Sequence, residues 1–413
     1  MSANRPIQAP SSRKKRRSLL QGREKRDFWL LSTGQLLVFC GFFSFFQFPL
    51  YIKSLGGGEQ RVGFIMGGQT LFATLLLPWV TAMVDRIERK TLMLAGLSLM
   101  MVATMSLITT TSPGVFMAAL MIVRGLGFAV YMNASSTYVA QIAPPSEKSQ
   151  WFGINFGFNQ VAVGLGPMLG ELAIRHINFP FFFFLAVAFS YAGMLLLLGI
   201  TPRPPATKAP PFNAVFSLKA FYGHLFGRYF LSSFLVLLLL AGALGSVFNF
   251  TALYTQLLGL SSGMFFVTYS AVNAGVRFGG SSWADRYGRA RVVVPTLIMM
   301  GVGIFLFSIT KGVPLLMVSA VLIGVGFGLS NPAILAGMLD RSPPQLQSTA
   351  VGIFHYAYNL GLMAAPPFFG GVAEHVGYDV MWWIAGGLTF ASLTVYLLPQ
   401  RPLPEAAEVQ PAS

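Results

Sequence analysis

"SSWADRYGRARVV", Ser281–Val293, sets Asp285, Arg286, Arg289 and Arg291 within seven positions of a chain that elsewhere runs for dozens of residues with almost no charge. Two hundred positions earlier, "TAMVDRIERKTLM" at 81–93 does nearly the same with Asp85, Arg86, Glu88, Arg89 and Lys90. A chain this apolar that concentrates its ions in one pattern, twice at one spacing, is built from two related halves.

The surroundings of the two clusters set the class. The 413 residues are 54% hydrophobic and only 10% charged, with a mean hydropathy of +0.64. A water-soluble domain carries about 25% charged residues, so most of this chain faces lipid. Its one cysteine, Cys40, excludes an internal disulfide. The net charge of +15 is uneven, because nine of the 28 Lys and Arg fall in residues 1–27, five of them in the run 13–17. A basic segment just before an apolar one is drawn to anionic head groups on the cytoplasmic side. No nucleic-acid partner is expected.

A membrane helix needs about 20 mostly apolar residues. Breaks at charges and at Pro/Gly clusters predict twelve spans: 28–53, 60–84, 90–111, 113–142, 149–175, 180–201, 229–257, 262–284, 291–311, 313–340, 347–372 and 380–399. The fold class is therefore an all-α polytopic membrane protein. Its expected parts are a basic tail 1–27, a six-helix bundle 28–201, a proline-rich linker 202–228, a second bundle 229–400 and a tail 401–413. The tails and loops on the N-terminal side carry 22 of the 28 basic residues, against Lys53, Arg61, Arg175 and Lys311 in the loops opposite. Basic residues stay inside, so both termini are expected in the cytoplasm of a cell's inner or plasma membrane.

The duplication extends beyond the clusters. "GLGFAVYMNASSTYVAQIAPPSEKSQWFGI" (125–154) lies over "GVGFGLSNPAILAGMLDRSPPQLQSTAVGI" (324–353), each with G-x-G-F, a Pro-Pro pair and a Gly-Ile. Parallel repeats of this kind are related by an axis along the membrane normal. With D-R-x-x-R-[KA] in the loops after spans two and eight, the chain resembles the major facilitator superfamily. The signature of that family is roughly G-x-x-x-D-R-x-G-R-K. The first copy departs from it at Thr81 and Glu88, the second at Ser281, while Gly288 is kept.

The resemblance implies two six-helix bundles that rock about a central site, and a gating latch formed by Asp85, Arg86 and Arg89 with Asp285, Arg286 and Arg289. A carboxylate suits a helix N-terminus, and arginines reach it or the carbonyls at helix C-termini. Charges that only fix orientation would also supply the arginines, but not a matched aspartate in each copy. Span five carries "AVGLGPMLGE" (162–171). This is similar to the G-x-x-x-G-P-x-x-G-G stretch of exporters in the family and suggests a hinge at Gly166, Pro167 and Gly170. "LMAAPPFFGG" (362–371) parallels it.

An ionisable residue deep in a span is a functional candidate. Arg124 stands near the middle of span four, directly before Gly125; family members often carry an arginine four residues before the G-x-G, where Met121 stands here. Arg277 lies shallower, so it faces the cavity or snorkels. Were both to face the cavity, an anionic or carboxylated solute would suit them. The remaining candidates for the substrate site are Gln35, Gln47, Tyr131, Asn133, Asn155, Asn159, Asn249, Tyr254, Asn331, Tyr356 and Asn359, each open to the plainer role of an interhelical hydrogen bond. None of the thirteen Asp and Glu falls in mid-span. Glu171 and His355 are the candidates for proton coupling.

No G-x-x-x-x-G-K-[ST] is present, and no cofactor or metal is expected. An enzyme would need clustered acids or histidines. The reading is a monomeric secondary carrier of a small organic solute, exporting it against protons. Uptake or uniport of an anion held by Arg124 and Arg277 is the alternative, and a channel or receptor of the same fold a third.

Overall fold

The computed structural model describes residues 11–144, 147–203, 230–280, 283–342 and 346–398. Residues 204–228 of the expected linker, the expected C-terminal tail, residues 1–10 of the expected basic tail with the side chains of 11–21, and the side chains of Asp85 and Asp285 lie outside the described residues. Every regular element among those described is helical. They form twelve columns. In the first half these are Ser11–Phe43 continued by Phe48–Ser54 (span one), Glu59–Leu75 with Leu77–Arg86 (two), Arg89–Ser106 (three), Val115–Ile142 (four), Lys148–His176 (five) and Phe179–Leu198 (six). In the second half they are Leu231–Leu257 (seven), Ser262–Gly280 with Trp283–Tyr287 (eight), Arg289–Ser308 (nine), Val313–Asp340 (ten), Gln347–His375 (eleven) and Tyr378–Leu397 (twelve). The bundle end where Arg203 and Phe230 lie is called the linker face here, and the opposite end the far face.

Local chemistry explains the ends. Asn178 caps span six, its Oδ1 accepting the N–H of Phe181 at 2.8 Å, the ordinary role of Asn at a helix start. Span one tightens into a 3-10 turn at Ser44–Gln47, directly before Pro49. Proline there has no N–H to give to the Phe45 carbonyl, so the α-helical ladder breaks. Span one also starts earlier than the sequence suggests. Asp27, assigned to the tail, is 1% exposed and accepts bonds from Tyr138 Oη and Thr201 N, both at 3.2 Å.

Eight described helices are long and apolar enough to cross a bilayer. The four columns that fall short are spans two, five, eight and eleven, and these form the seam between the halves. Span two packs on eleven and five on eight. Helices whose broad faces meet other helices instead of lipid need less apolar surface, so the shortfall follows from position.

The duplication holds at atomic detail. A Cβ added to Gly127 would lie 2.6 Å from Gly96 O and 2.9 Å from Met100 N. One added to Gly326 would lie 2.7 Å from Thr296 O and 2.9 Å from Met300 N. The partners are 200 positions apart, so the glycines of the repeated G-x-G set the same close approach in both halves. The charged loops, by contrast, are not copies in their backbone. Gly288 has φ +94°, a left-handed turn that glycine adopts without strain, whereas Glu88 sits at φ −58°.

Candidate functional site

Where the seam opens, a cavity of about 420 Å3 lies between the halves, within the range of sites for small organic molecules. Both halves build it. Phe42, Phe43, Phe45 and Phe46 of span one and Phe128 of span four form one wall; Phe248, Tyr269, Phe327 and Tyr358 of the second half form the other. Phe42 stacks on Phe128 with centroids 3.5 Å apart. Phe46 stacks on Phe248 across the seam at 5.1 Å and 7°.

Arg124 is the charged residue among the described lining groups. It is the tenth residue of span four, about 14 Å along a helix rising 1.5 Å per residue, and is 1% exposed. One amino group donates to Gln69 Oε1 at 3.2 Å and the other to the Phe42 carbonyl at 3.0 Å. The guanidinium carbon lies 3.5 Å from the centroid of Phe45 and 4.7 Å from that of Phe42. Neutral oxygens and aromatic faces hold the cation, and no described lining residue is an acid.

Five of the thirteen side chains expected at the substrate site line this cavity: Arg124, Asn133, Asn159, Asn249 and Asn359. The other eight are placed outside it. Gln35 and Asn155 form a reciprocal amide pair at 3.1 Å, joined by Ser135 at 2.9 Å, which fastens spans one, four and five within one half. Gln47 donates to Pro167 O and to Ser262 Oγ. Tyr254 donates to the Phe307 carbonyl at 2.7 Å. Tyr131 is fully buried, edge-on to Phe39. Tyr356 lies near Phe234, and Asn331 is half-buried just before Pro332. Arg277 lies one ring back, 5.8 Å from the centroid of Phe327. Gln69, Thr70, Thr74, Tyr269 and Tyr358 line the cavity without having been anticipated. A signal existed for the first: Gln69 is an amide in mid-span, and Tyr269 stands 200 positions on. Gly125 packs on Gln69 as Gly324 packs on the Tyr269 carbonyl.

The far face is closed by bonds between the halves. Glu171, 6% exposed, lies near the far-face end of span five and accepts bonds from Ser261 Oγ at 3.1 Å, Ser262 Oγ at 2.9 Å and Gly263 N. It thus sits on the N-terminus of span eight, where the helix dipole favours a carboxylate. Arg175, one turn on, pairs with it at 3.1 Å and donates to the Leu260 carbonyl at 2.9 Å. On the other side Glu374 of span eleven accepts Gln60 N at 2.8 Å, and Tyr378 donates to Glu59 at 3.4 Å. Gly166 and Gly170 press span five onto span one at Cys40–Ser44, and the helix runs unbroken through Pro167.

At the linker face, Arg89 and Arg289 are the first residues of spans three and nine. Arg89 is buried and Arg86 exposed. Arg289 Nε meets Asp340 at 3.0 Å, an acid of its own half, and Arg286 lies 5.7 Å from the Tyr287 ring. Lys90 donates to the carbonyls of Leu198 and Ile200 at 2.7 and 3.0 Å, a cation at the C-terminus of span six. His355 lies in span eleven, edge-on to Phe354, outside the cavity lining.

Twelve helical columns in two duplicated bundles around a shared cavity are the architecture of a membrane transport protein. Residues 31–281 and 262–412 match the sequence model of the Major Facilitator Superfamily, and the chain belongs to that family. It is an integral, multi-pass transporter and not an enzyme. Among curated relatives it is 22% identical over 230 residues to the staphylopine export protein of Staphylococcus aureus (strain Mu50 / ATCC 700699), covering 54% of this chain and 57% of that one. It is 24% identical over 164 residues to the quinolone resistance protein NorA of Staphylococcus aureus, covering 38% and 41%. The chain thus spans about half the length of these relatives. Among solved structures, a mutant form of the nucleoside transporter NupG superposes with a TM-score of 0.76 at 15% identity over 90% of this chain and 100% of that one. The human organic anion transporter MFSD10 gives 0.65 at 19% over 90% and 99%. These two likenesses show the fold.

Proposed function

We propose that the protein is a secondary carrier that exports a small organic solute by alternating access. The observation that carries this reading is the cavity, built from both halves and closed toward the far face by Glu171 and Glu374, each gripping a helix start of the opposite half. The solute sits among Arg124, Asn133, Asn159, Asn249 and Asn359. The far-face bonds break when the halves rock, and those of the linker face form. There the latch is Asp85, Arg86 and Arg89 with Asp285, Arg286 and Arg289, and Asp340 belongs with it because it already holds Arg289. Gly166, Pro167 and Gly170 serve as the hinge, since small residues keep spans five and one in sliding contact.

Export is supported by the resemblance of "AVGLGPMLGE" to the exporter stretch and by the partial likeness to two proteins named for export and drug resistance. The excess of basic residues at the linker face supports a cytoplasmic position for that face and both termini. Proton antiport is assigned to Glu171, the carboxylate that holds the start of span eight. Each chain completes its own cavity, so a monomer suffices.

Everted vesicles with an acid interior, offered a panel of fluorescent organic solutes, test the reading. Saturable accumulation that a protonophore collapses supports export against protons. Accumulation that survives the protonophore removes the coupling, and unsaturable flux makes the protein a pore.

A further inference from the structure

We infer that the transported solute is an aromatic monoanion whose charged group seats on Arg124 and Gln69. The inference rests on the carrier reading above and adds the substrate class. Its basis is an unbalanced charge. Arg124 is 1% exposed and brings a full positive charge into the middle of the bundle, yet the bonds described for it end on an amide oxygen and a peptide carbonyl. Its Nε has no hydrogen-bond partner among the described residues. A buried cation that meets neutral oxygens and the rings of Phe42 and Phe45, with no acid among the described lining residues, is under-compensated, and an arriving anion is the partner its planar donors fit.

The second half contributes the same sign of charge. Tyr269, Asn273 and Arg277 stand at four-residue intervals along span eight, which places them on one helix face running from the cavity toward the linker face. Asn273 is fully buried, and among the described residues neither its amide oxygen nor its nitrogen finds a hydrogen-bond partner, nor does Arg277 Nε. Arg277 stands behind Phe327, a cavity wall. Both halves thus bring positive charge to a cavity with no described acid in its lining, which disfavours cations and favours one anionic group. The rest of the lining decides the body of the solute. Phe128, Phe248 and Tyr269 are among the aromatic side chains that line it, and π-systems pair through offset and edge contacts.

The test uses the purified full-length protein in nanodiscs and three isosteric probes: 2-naphthoate, neutral 2-naphthamide and cationic 2-naphthylmethylammonium. Calorimetry should rank naphthoate roughly tenfold or more tighter than the amide, the scale of one charge-assisted bond, with the cation weakest. Arg124→Gln should collapse the anion preference, bringing naphthoate and naphthamide to comparable affinity, and a thermal midpoint close to that of the unaltered protein shows that the variant is folded. Arg124→Lys should keep part of the preference. The inference is overturned if the cation or the amide binds as tightly as naphthoate, if Arg124→Gln retains the preference, or if no probe binds up to about 1 mM. Counterflow in proteoliposomes separates this from the carrier reading. Saturable counterflow of another solute without naphthoate binding would sink the charge assignment alone. Arg124-dependent naphthoate binding without any flux would sink the carrier reading alone.

Discussion

Glu374 accepts the backbone N–H of Gln60 at 2.8 Å across 314 positions of chain, and so fastens span eleven to the start of span two. Glu171 does the same for Gly263 at the start of span eight. At the 200-residue offset of the repeat, Glu374 falls opposite Ile174 and not Glu171. The two halves therefore share a role, a carboxylate on the opposite half's helix start, without sharing the position that performs it. One turn of helix separates the two solutions.

Removing either acid should loosen the far face. A helix cap with its dipole term contributes about 1–2 kcal/mol, so Glu171→Ala should raise the far-open population by about 5–30-fold. Labelling of a Gln256→Cys reporter by an impermeant maleimide reads this directly. Gln256 borders the small pocket beside Glu171, and the native Cys40 is buried. An unchanged labelling rate would remove Glu171 from the gate.

The latch makes the opposite demand on stability and flux. Arg289 and Asp340 meet with side chains 26% and 57% exposed, so the pair is worth no more than about 1 kcal/mol to folding. Asp340→Asn and Asp85→Asn should each leave the thermal midpoint within a few degrees while slowing counterflow several-fold. Counterflow at the wild-type rate would reduce these charges to orientation signals.

The amides divide into two kinds that mutation can separate. Asn159→Ala and Asn359→Ala, at cavity positions 200 apart, should weaken solute binding several-fold, as expected from about 1 kcal/mol per intramembrane hydrogen bond, with stability unchanged. Asn155→Ala strands Gln35 and should cost about 1–3 kcal/mol of stability with binding intact. Paired binding isotherms and denaturation curves check both. A reversal of the two patterns would show that the cavity lining has been misread.

Gly127→Ala and Gly326→Ala should destabilise by similar amounts, about 1–3 kcal/mol each, because an added methyl meets backbone in both halves. Gly153→Ala is the control. Nothing lies within 4 Å of its would-be Cβ, so the change should be neutral or mildly stabilising. A large asymmetry between Gly127 and Gly326 would contradict equivalent packing in the two repeats.

Twelve spans, two halves and the repeated charged loops could be read along the chain, because crossing hydrocarbon imposes a length and a composition that are one-dimensional properties. Arg124 was visible for the same reason, since a charge at that depth is anomalous wherever it points. Which face each helix turns inward was not visible. In spans apolar on every side, polarity does not mark the buried face, so Asn155 and Asn159, four residues and one turn apart, looked alike. Only packing made one a strut and the other a cavity wall. Tertiary structure likewise decided that Gln47 braces the seam, that Arg277 stands behind Phe327, and that Gln69 faces the site. Each of these depends on how a helix is rotated about its axis, and that rotation is set by the neighbours it packs against.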